Sequence, residues 1–217
     1  MKGRIITIIL LVGILLVGVS LISALGRFHL PGNHQDYRPV QPIEYSHRIH
    51  AGELAIPCLY CHSGAERSRN AGVPSANVCM NCHKFVTAPL GAVREEERLA
   101  KEEGRDPIPL VSPELQKLYD ALALDDKLVR DPAREPQPIQ WTRVHKVPDF
   151  VAFDHRPHVA VGVACQTCHG PMESMDRVRQ FSTLTMGWCV DCHRKSGETR
   201  IAGKPVHPSL DCTTCHY

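Results

Sequence analysis

The sequence predicts a mainly α-helical and irregular protein with little β-sheet and one helix long enough to cross a membrane. Near the start of the chain, residues 5–25 form an uninterrupted apolar run. As a helix this run extends about 31 Å, close to the thickness of the hydrocarbon core of a bilayer. The 17 Pro and 15 Gly favour short helices and loops. A short motif, Cys-x-x-Cys-His, occurs five times and uses all ten cysteines.

Each copy of this motif supplies the groups that bind one c-type haem. Two cysteines three positions apart can form thioethers to the two vinyl groups of a haem, and the histidine that follows can bind the iron as the proximal ligand. We number the copies motif 1 to motif 5 at residues 58–62, 79–83, 165–169, 189–193 and 212–216. The predicted attachment residues are Cys58, Cys61, Cys79, Cys82, Cys165, Cys168, Cys189, Cys192, Cys212 and Cys215. The predicted proximal ligands are His62, His83, His169, His193 and His216.

Paired cysteines also occur in zinc knuckles, redox-active dithiols and disulfide frameworks. None of these requires a histidine directly after every pair. With 13 His in 217 residues, five such histidines would arise by chance about once in a million trials. The motifs therefore predict five covalent haem c groups.

The composition agrees with a core built around cofactors. Aromatic residues make up only 6% of the chain, so we expect the haems to supply most of the apolar core and the apo chain to be largely unfolded. The net charge is +2. No phosphate-cradling glycine loop and no basic run interleaved with aromatics is present, so no nucleic-acid partner is predicted.

The N-terminal apolar run predicts a retained membrane anchor over residues 1–26. It is longer than the apolar region of about 7–15 residues in a cleaved signal peptide, although residues 24–26 could serve as a weak cleavage site. Lys2 and Arg4 place the N-terminus in the cytoplasm by the positive-inside rule. The remaining chain would then lie on the periplasmic side of the bacterial cytoplasmic membrane, where c-type haems are attached.

Two segments share the pattern aromatic-x-His-x-x-His, at residues 45–50 and 153–158. Histidines at i and i+3 lie on one face of a helical turn, so each segment can supply distal ligands to two adjacent haems. The segments are 108 residues apart and the cysteines that follow are 107 apart, which indicates an internal repeat. Gly52 and Gly162 follow the two segments at similar distances. The predicted distal ligands are His47, His50, His155 and His158.

Two further residues are distal candidates. His145 precedes the second copy of the repeat, and Met186 lies three residues before Cys189, where it could bind the fourth haem or pack against Trp188. His207 is a weaker candidate. His29 and His34 fall in a loop and are expected to be solvated. Six candidates for five irons favour five filled sixth positions, and the individual pairings stay open.

The spacing of these features predicts an anchor (1–26), a tether (27–43), a dihaem module (44–84), a helical and Pro-rich insertion (85–143) and a trihaem module (144–217). Within the insertion, residues 94–103 predict an exposed charged helix. A second helix should begin with Ser112 as N-cap and Pro113 at its first position, and should end near Asp125.

The histidine pattern ahead of the motifs resembles the class III multihaem cytochromes c. The whole chain is similar to the membrane-anchored pentahaem cytochrome c subunit of bacterial alternative complex III, over the anchor and residues 78–83, 143–145, 153–158 and 186–194. This resemblance implies a haem wire in a complex with iron–sulfur and multi-spanning membrane subunits. That complex oxidises menaquinol and passes electrons to a monohaem cytochrome c or to an oxygen reductase.

The sequence therefore favours an electron-transfer subunit with no catalytic residues of its own. One alternative is a membrane-anchored quinol dehydrogenase that works alone, which would need a quinol pocket at the membrane surface. Another is a pentahaem enzyme that reduces nitrite or a similar small substrate. Such an enzyme needs a vacant sixth position or an unusual proximal ligand, whereas all five proximal residues here are histidine.

Overall fold

A computed structural model describes residues 2–25, 33–198 and 200–216, and it confirms the predicted mainly helical and irregular class. The α-helices are α1 (Lys2–Leu25), α2 (Cys58–Cys61), α3 (Gly64–Arg67), α4 (Ala76–His83), α5 (Leu90–Glu103), α6 (Pro113–Ala121), α7 (His155–Ala160), α8 (Cys165–His169), α9 (Met186–Glu198) and α10 (Cys212–Cys215). A π-helical turn covers Arg48–Glu53 and a 3₁₀ turn covers Met172–Ser174. Within the described residues, the sheet is one antiparallel hairpin of β1 (Arg200–Ile201) and β2 (Lys204–Pro205).

Helix α1 is long and apolar enough to cross a membrane. Its apolar stretch, Gly3–Ile22, has no part buried against the rest of the protein. A membrane anchor and a signal sequence both meet this description. His29 lies outside the described residues, whereas His34 is exposed, as expected for a loop histidine.

The polypeptide alone buries few apolar side chains. The buried apolar residues in the described chain are Ala65, Ala88, Ala100, Leu118, Tyr119, Ala123, Val144, Met175 and Val206. Five of these nine lie between residues 85 and 143, so the segments that carry the motifs bury only four. This distribution fits the expectation that haem completes the core around the motifs.

The segment from 85 to 143 contains the two predicted helices. Helix α6 begins as predicted, with the Ser112 Oγ accepting a hydrogen bond from the Leu115 N–H at 3.4 Å and with Pro113 at the first position. It ends at Ala121, earlier than the predicted Asp125. The Tyr119 hydroxyl donates to the His83 carbonyl oxygen at 2.5 Å, which joins this segment to motif 2.

The two copies of the repeat differ by one residue, and the backbone shows where that residue is accommodated. His50 lies eight positions before Cys58, and His158 lies seven before Cys165. The first copy forms the π-helical turn, which holds more residues per turn than the α-helix that the second copy forms. Three residues before each cysteine, Ala55 and Gly162 both adopt the left-handed conformation, with φ of 51° and 85°. Ala55, rather than Gly52, is therefore the structural counterpart of Gly162.

Candidate haem sites

Each motif lies on or at the end of a short helix. Helices α2, α8 and α10 consist almost wholly of motifs 1, 3 and 5, whereas motifs 2 and 4 lie within α4 and α9. A helical turn brings residues three and four positions apart onto one face, so both cysteines and the histidine of a motif lie together. Asp211 caps α10 by accepting a hydrogen bond from the Thr213 N–H at 2.9 Å. Each motif therefore has its two cysteines on one face of a helical turn.

The structure pairs four motif histidines with the four histidines of the repeated pattern. Two imidazoles that bind one iron from opposite sides, with iron–nitrogen bonds of about 2 Å, have ring centroids about 6.3 Å apart. The observed separations are 6.4 Å for His47 and His62, 6.1 Å for His50 and His83, 6.3 Å for His155 and His169, and 6.1 Å for His158 and His193. The angles between the ring planes are 2°, 60°, 9° and 41° in the same order. All four pairs fit an iron between them.

Six of these eight imidazoles are held in the tautomer that binds iron. In each, Nδ1 lies 2.7–2.9 Å from a backbone carbonyl oxygen, which can only accept a hydrogen bond. The pairs are His50 with Ser46, His62 with Gly72, His83 with Val86, His155 with Arg69, His158 with Asp154, and His193 with Ser209. Nδ1 therefore carries the proton, and Nε2 keeps a lone pair for a metal.

Three half-buried imidazoles lie where the two copies of the repeat meet. Burial, with a smaller effect from neighbouring imidazoles, lowers the pKa of His47 to about 4, of His145 to about 3 and of His169 to about 4. All three are therefore neutral at physiological pH, as a metal ligand must be. His47 Nδ1 and His145 Nε2 are buried without a hydrogen-bond partner in the described structure. Such atoms mark a place where a further group fits.

One aromatic ring contacts both predicted distal histidines in each copy of the repeat. The Tyr45 ring centroid lies 4.9 Å from that of His47 and 4.3 Å from that of His50. Phe153 occupies the equivalent position, 4.8 Å from His155 and 4.9 Å from His158. This contact explains why an aromatic residue opens both copies of the pattern.

The remaining distal candidates lie elsewhere. His145 contacts His169 edge-on, with ring centroids 4.3 Å apart. His158, rather than Met186, faces the fourth motif histidine, and the Met186 side chain is 66% exposed at the start of α9. His207 is exposed.

His216 of motif 5 stacks on a phenyl ring. The centroids of His216 and Phe150 lie 5.8 Å apart, with 27° between the ring planes. The Ala152 N–H donates to the Cys215 carbonyl oxygen at 2.7 Å, so the chain next to Phe150 is bonded to this motif.

Two residues that the sequence did not single out hold the site together. Arg69 accepts from His155 through its carbonyl, and its guanidinium donates to the Phe153 carbonyl oxygen at 3.0 Å. Gln180 is fully buried, and its side-chain oxygen accepts from the Lys146 N–H at 3.0 Å, next to His145. Both act through contacts between distant parts of the chain, which no local sequence pattern signals.

The cysteines of different motifs are close neighbours. Burial raises the pKa of the Cys61, Cys165 and Cys189 thiols and raises that of Cys168 to about 11. Nearby thiols of other motifs raise these pKa values further. These neighbours are Cys82 for Cys61, Cys58 for Cys165, Cys192 and Cys189 for Cys168, and Cys215 for Cys189.

Comparisons with known proteins agree with the motif chemistry. Residues 151–217, which contain motifs 3 to 5, match a family model described as cytochrome c7 and related cytochrome c. The chain is also similar to the menaquinone reductase, multiheme cytochrome c subunit, of Nitratidesulfovibrio vulgaris, with 40% identity over 62 residues. That match covers 29% of this chain and 28% of the relative, so it spans less than a third of either protein. The family match and the ten cysteines together imply multiple c-type haems and a role in electron transfer.

Proposed function

We propose that this protein is the electron-transfer subunit of a membrane-bound, quinol-oxidising complex of the alternative complex III type, and that it carries five c-type haems as a wire. The observation that carries the proposal is the set of four imidazole pairs at iron-spanning separations. An iron bound by histidine on both sides has no free position for a substrate, which suits an electron carrier.

The proposed ligands combine the chemistry of the motifs with the four imidazole pairs. The ten cysteines form the thioethers, and the five motif histidines are the proximal ligands. His47, His50, His155 and His158 are the distal ligands of motifs 1, 2, 3 and 4 respectively. Met186 and His145 are the sequence-predicted distal candidates that these four pairs leave over.

When bound, each haem supplies one-electron exchange between ferric and ferrous iron. Backbone hydrogen bonds at Nδ1 would hold the imidazoles in place, so little rearrangement would accompany the transfer. Hydrogen bonds from Nδ1 to backbone carbonyls make the imidazoles better electron donors. Imidazole pairs also give lower reduction potentials than a histidine–methionine pair, which suits acceptance of electrons from a quinol.

The membrane arrangement is part of the proposal. Helix α1 serves as a single-pass anchor in the bacterial cytoplasmic membrane, with the haem-binding part on the periplasmic side. We propose the same division as in the sequence analysis: a tether (27–43), a dihaem module (44–84), an insertion (85–143) and a trihaem module (144–217). Its partners are iron–sulfur and multi-spanning membrane subunits, and the acceptor is a monohaem cytochrome c or an oxygen reductase.

A second candidate reverses the direction of electron flow. The printed name of the Nitratidesulfovibrio vulgaris relative describes a complex that reduces menaquinone. The same wire would then carry electrons toward the quinone pool. The 62-residue match favours this alternative over a stand-alone reductase.

Purification of the native protein in mild detergent tests the proposal. We expect five haems per chain by pyridine haemochrome, co-purifying iron–sulfur and membrane subunits, and menaquinol-dependent reduction of cytochrome c. Menaquinone reduction by reduced cytochrome c, without the forward activity, would support the second candidate. A protein that arrives alone and still oxidises quinol would overturn the complex in favour of a stand-alone dehydrogenase.

A further inference from the structure

The order of the haem sites in space differs from the order of the motifs in the sequence. Motifs 1 and 2 are adjacent because the π-helical turn and the residue before it supply both distal histidines. His47 faces His62 and His50 faces His83, while the Tyr45 ring contacts both distal imidazoles.

Motifs 3 and 4 form an equivalent pair. Helix α7 supplies His155 opposite His169 and His158 opposite His193. Phe153 contacts both distal rings, as Tyr45 does in the first pair. The two pairs of sites are therefore built alike.

The two pairs meet through motifs 1 and 3. Cys58 and Cys165 are equivalent residues of the repeat, and their thiols are electrostatic neighbours. The equivalent histidines His62 and His169 are also electrostatic neighbours. Contact between equivalent residues is the mark of a two-fold relationship between two copies.

Each copy also supports the distal segment of the other. The Arg69 carbonyl, which follows motif 1, accepts from the backbone N–H and the imidazole of His155 at 3.2 and 2.9 Å. In return, the Met175 carbonyl, which follows motif 3, accepts from the Arg48 N–H at 3.0 Å. Gly52 packs directly against the Glu173 carbonyl in the same contact. These exchanged contacts repeat the two-fold relationship in the backbone.

Motif 5 joins the other end of the second pair. The Ser209 carbonyl, just before motif 5, accepts from His193 Nδ1 at 2.7 Å. Cys189 of motif 4 and Cys215 of motif 5 are neighbouring thiols.

We number each haem site after its motif, and we propose that electrons pass through the five sites in the order 2–1–3–4–5, in either direction. The two-fold contact between motifs 1 and 3 is then the junction between the two modules. Each step moves one electron from a ferrous to a ferric iron and makes or breaks no bond. The ends of the wire are site 2, next to residues 85–143, and site 5. This inference rests on the proposed loading of all five motifs, but not on the quinol complex.

The test uses the holoprotein and the variants His50→Met and His158→Met. A thioether in place of imidazole raises the potential of one haem, so that haem can be reduced alone to its diamagnetic state. Its paramagnetic neighbours should then relax more slowly in electron paramagnetic resonance (EPR). When site 2 is reduced in His50→Met, we expect slower relaxation of the EPR signal of site 1 and no change in that of site 3. A change at site 3 would overturn the order.

His158→Met is the matched control, because site 4 neighbours sites 3 and 5 in both the proposed order and the order of the sequence. The EPR signals that are lost in His47→Ala and His155→Ala are assigned to sites 1 and 3 respectively.

If a methionine variant fails to assemble, cryo-electron microscopy of the unaltered holoprotein decides the order of the sites. The iron of site 1 should lie between the irons of sites 2 and 3 and be the nearest neighbour of both. If the iron of site 2 lies nearer to the iron of site 3 than the iron of site 1 does, the proposal is contradicted. Fewer than five haems would instead refute the proposed loading.

Discussion

The imidazole of His47 lies opposite that of His62, with ring centroids 6.4 Å apart and ring planes only 2° from parallel. His47 precedes the motif that contains His62, and its equivalent in the second copy, His155, faces His169 in the same way at 9°. One local pattern thus produces the same arrangement of two facing imidazoles twice. Predictions about these sites can therefore use one copy as the reference for the other.

Removal of one distal imidazole should open one iron. In the holoprotein, His47→Ala removes the ring that faces His62, so carbon monoxide can bind the ferrous iron there. We expect a carbon monoxide difference spectrum that exceeds that of the unaltered protein by one haem in five. His34→Ala is the control, because His34 is exposed, and it should leave the spectrum unchanged. Equal spectra for His47→Ala and the unaltered protein would refute His47 as a ligand.

The ring angles predict different EPR signals for different sites. Two parallel imidazoles act on the iron d orbitals along the same direction and give rhombic low-spin ferric EPR signals. Two strongly rotated imidazoles act along different directions, so their effects on the d orbitals oppose each other and the signals are highly anisotropic. Motifs 1 and 3, at 2° and 9°, should give rhombic signals, and motif 2, at 60°, a highly anisotropic one. His50→Ala should remove the anisotropic signal and keep both rhombic ones. Loss of a rhombic signal instead would contradict the pairing.

The contact at Gly52 should tolerate no side chain. A Cβ at this position would overlap the Glu173 carbonyl oxygen, so Gly52→Ala must separate the two turns that join the copies of the repeat. We expect a loss of about 1–3 kcal/mol in the free energy of unfolding, measured with denaturant on the holoprotein. Gly91→Ala is the control, because a Cβ there meets nothing within 4 Å. In helix α5 it should stabilise by up to about 1 kcal/mol. A Gly52→Ala variant as stable as the unaltered protein would show that the two turns do not pack as described.

Asp154 should contribute a pH-dependent part of the stability. Its carboxylate caps helix α7 by accepting from the Arg156 N–H at 2.9 Å. Hydrogen bonds from the Arg156 side chain lower the Asp154 pKa to about 2. Because the folded pKa lies below the ordinary value of about 4, the contribution is present above pH 4 and is lost as the pH falls toward 2.

Thermal unfolding of the holoprotein between pH 2 and 6 checks this prediction. Asp154→Asn keeps an acceptor for the cap but cannot titrate, so its midpoint should fall less steeply with acid than that of the unaltered protein. Identical pH profiles for the two proteins would refute a role for the Asp154 charge. Asp154→Ala, which lacks the acceptor, should be less stable than Asp154→Asn at every pH.

Local patterns in the sequence predicted the parts of this protein that local chemistry determines. The mainly helical and irregular class is confirmed, and helix α6 begins at the predicted Ser112 cap. The fold class and the helix start could be predicted because they depend on neighbouring residues. The i and i+3 spacing predicts two ligands per segment, and the ring separations of 6.4 Å and 6.1 Å are compatible with that prediction, which stays a prediction.

Long-range contacts could not be predicted in this way. Nothing near Arg69 in the sequence indicates that its carbonyl holds His155, 86 positions away. The similar spacing of Gly52 and Gly162 in the sequence does not reveal that Ala55 is the residue that shares the left-handed conformation of Gly162. His145 depends on the buried Gln180 for the position of its loop, which only the tertiary fold reveals.

The π-helical turn at Arg48–Glu53 also shows how the backbone accommodates a difference in chain length. The first copy has one residue more than the second between the last histidine of the pattern and the first cysteine of the motif. The wider turn takes up that residue, so His50 and His158 keep equivalent separations from the motif histidines His83 and His193.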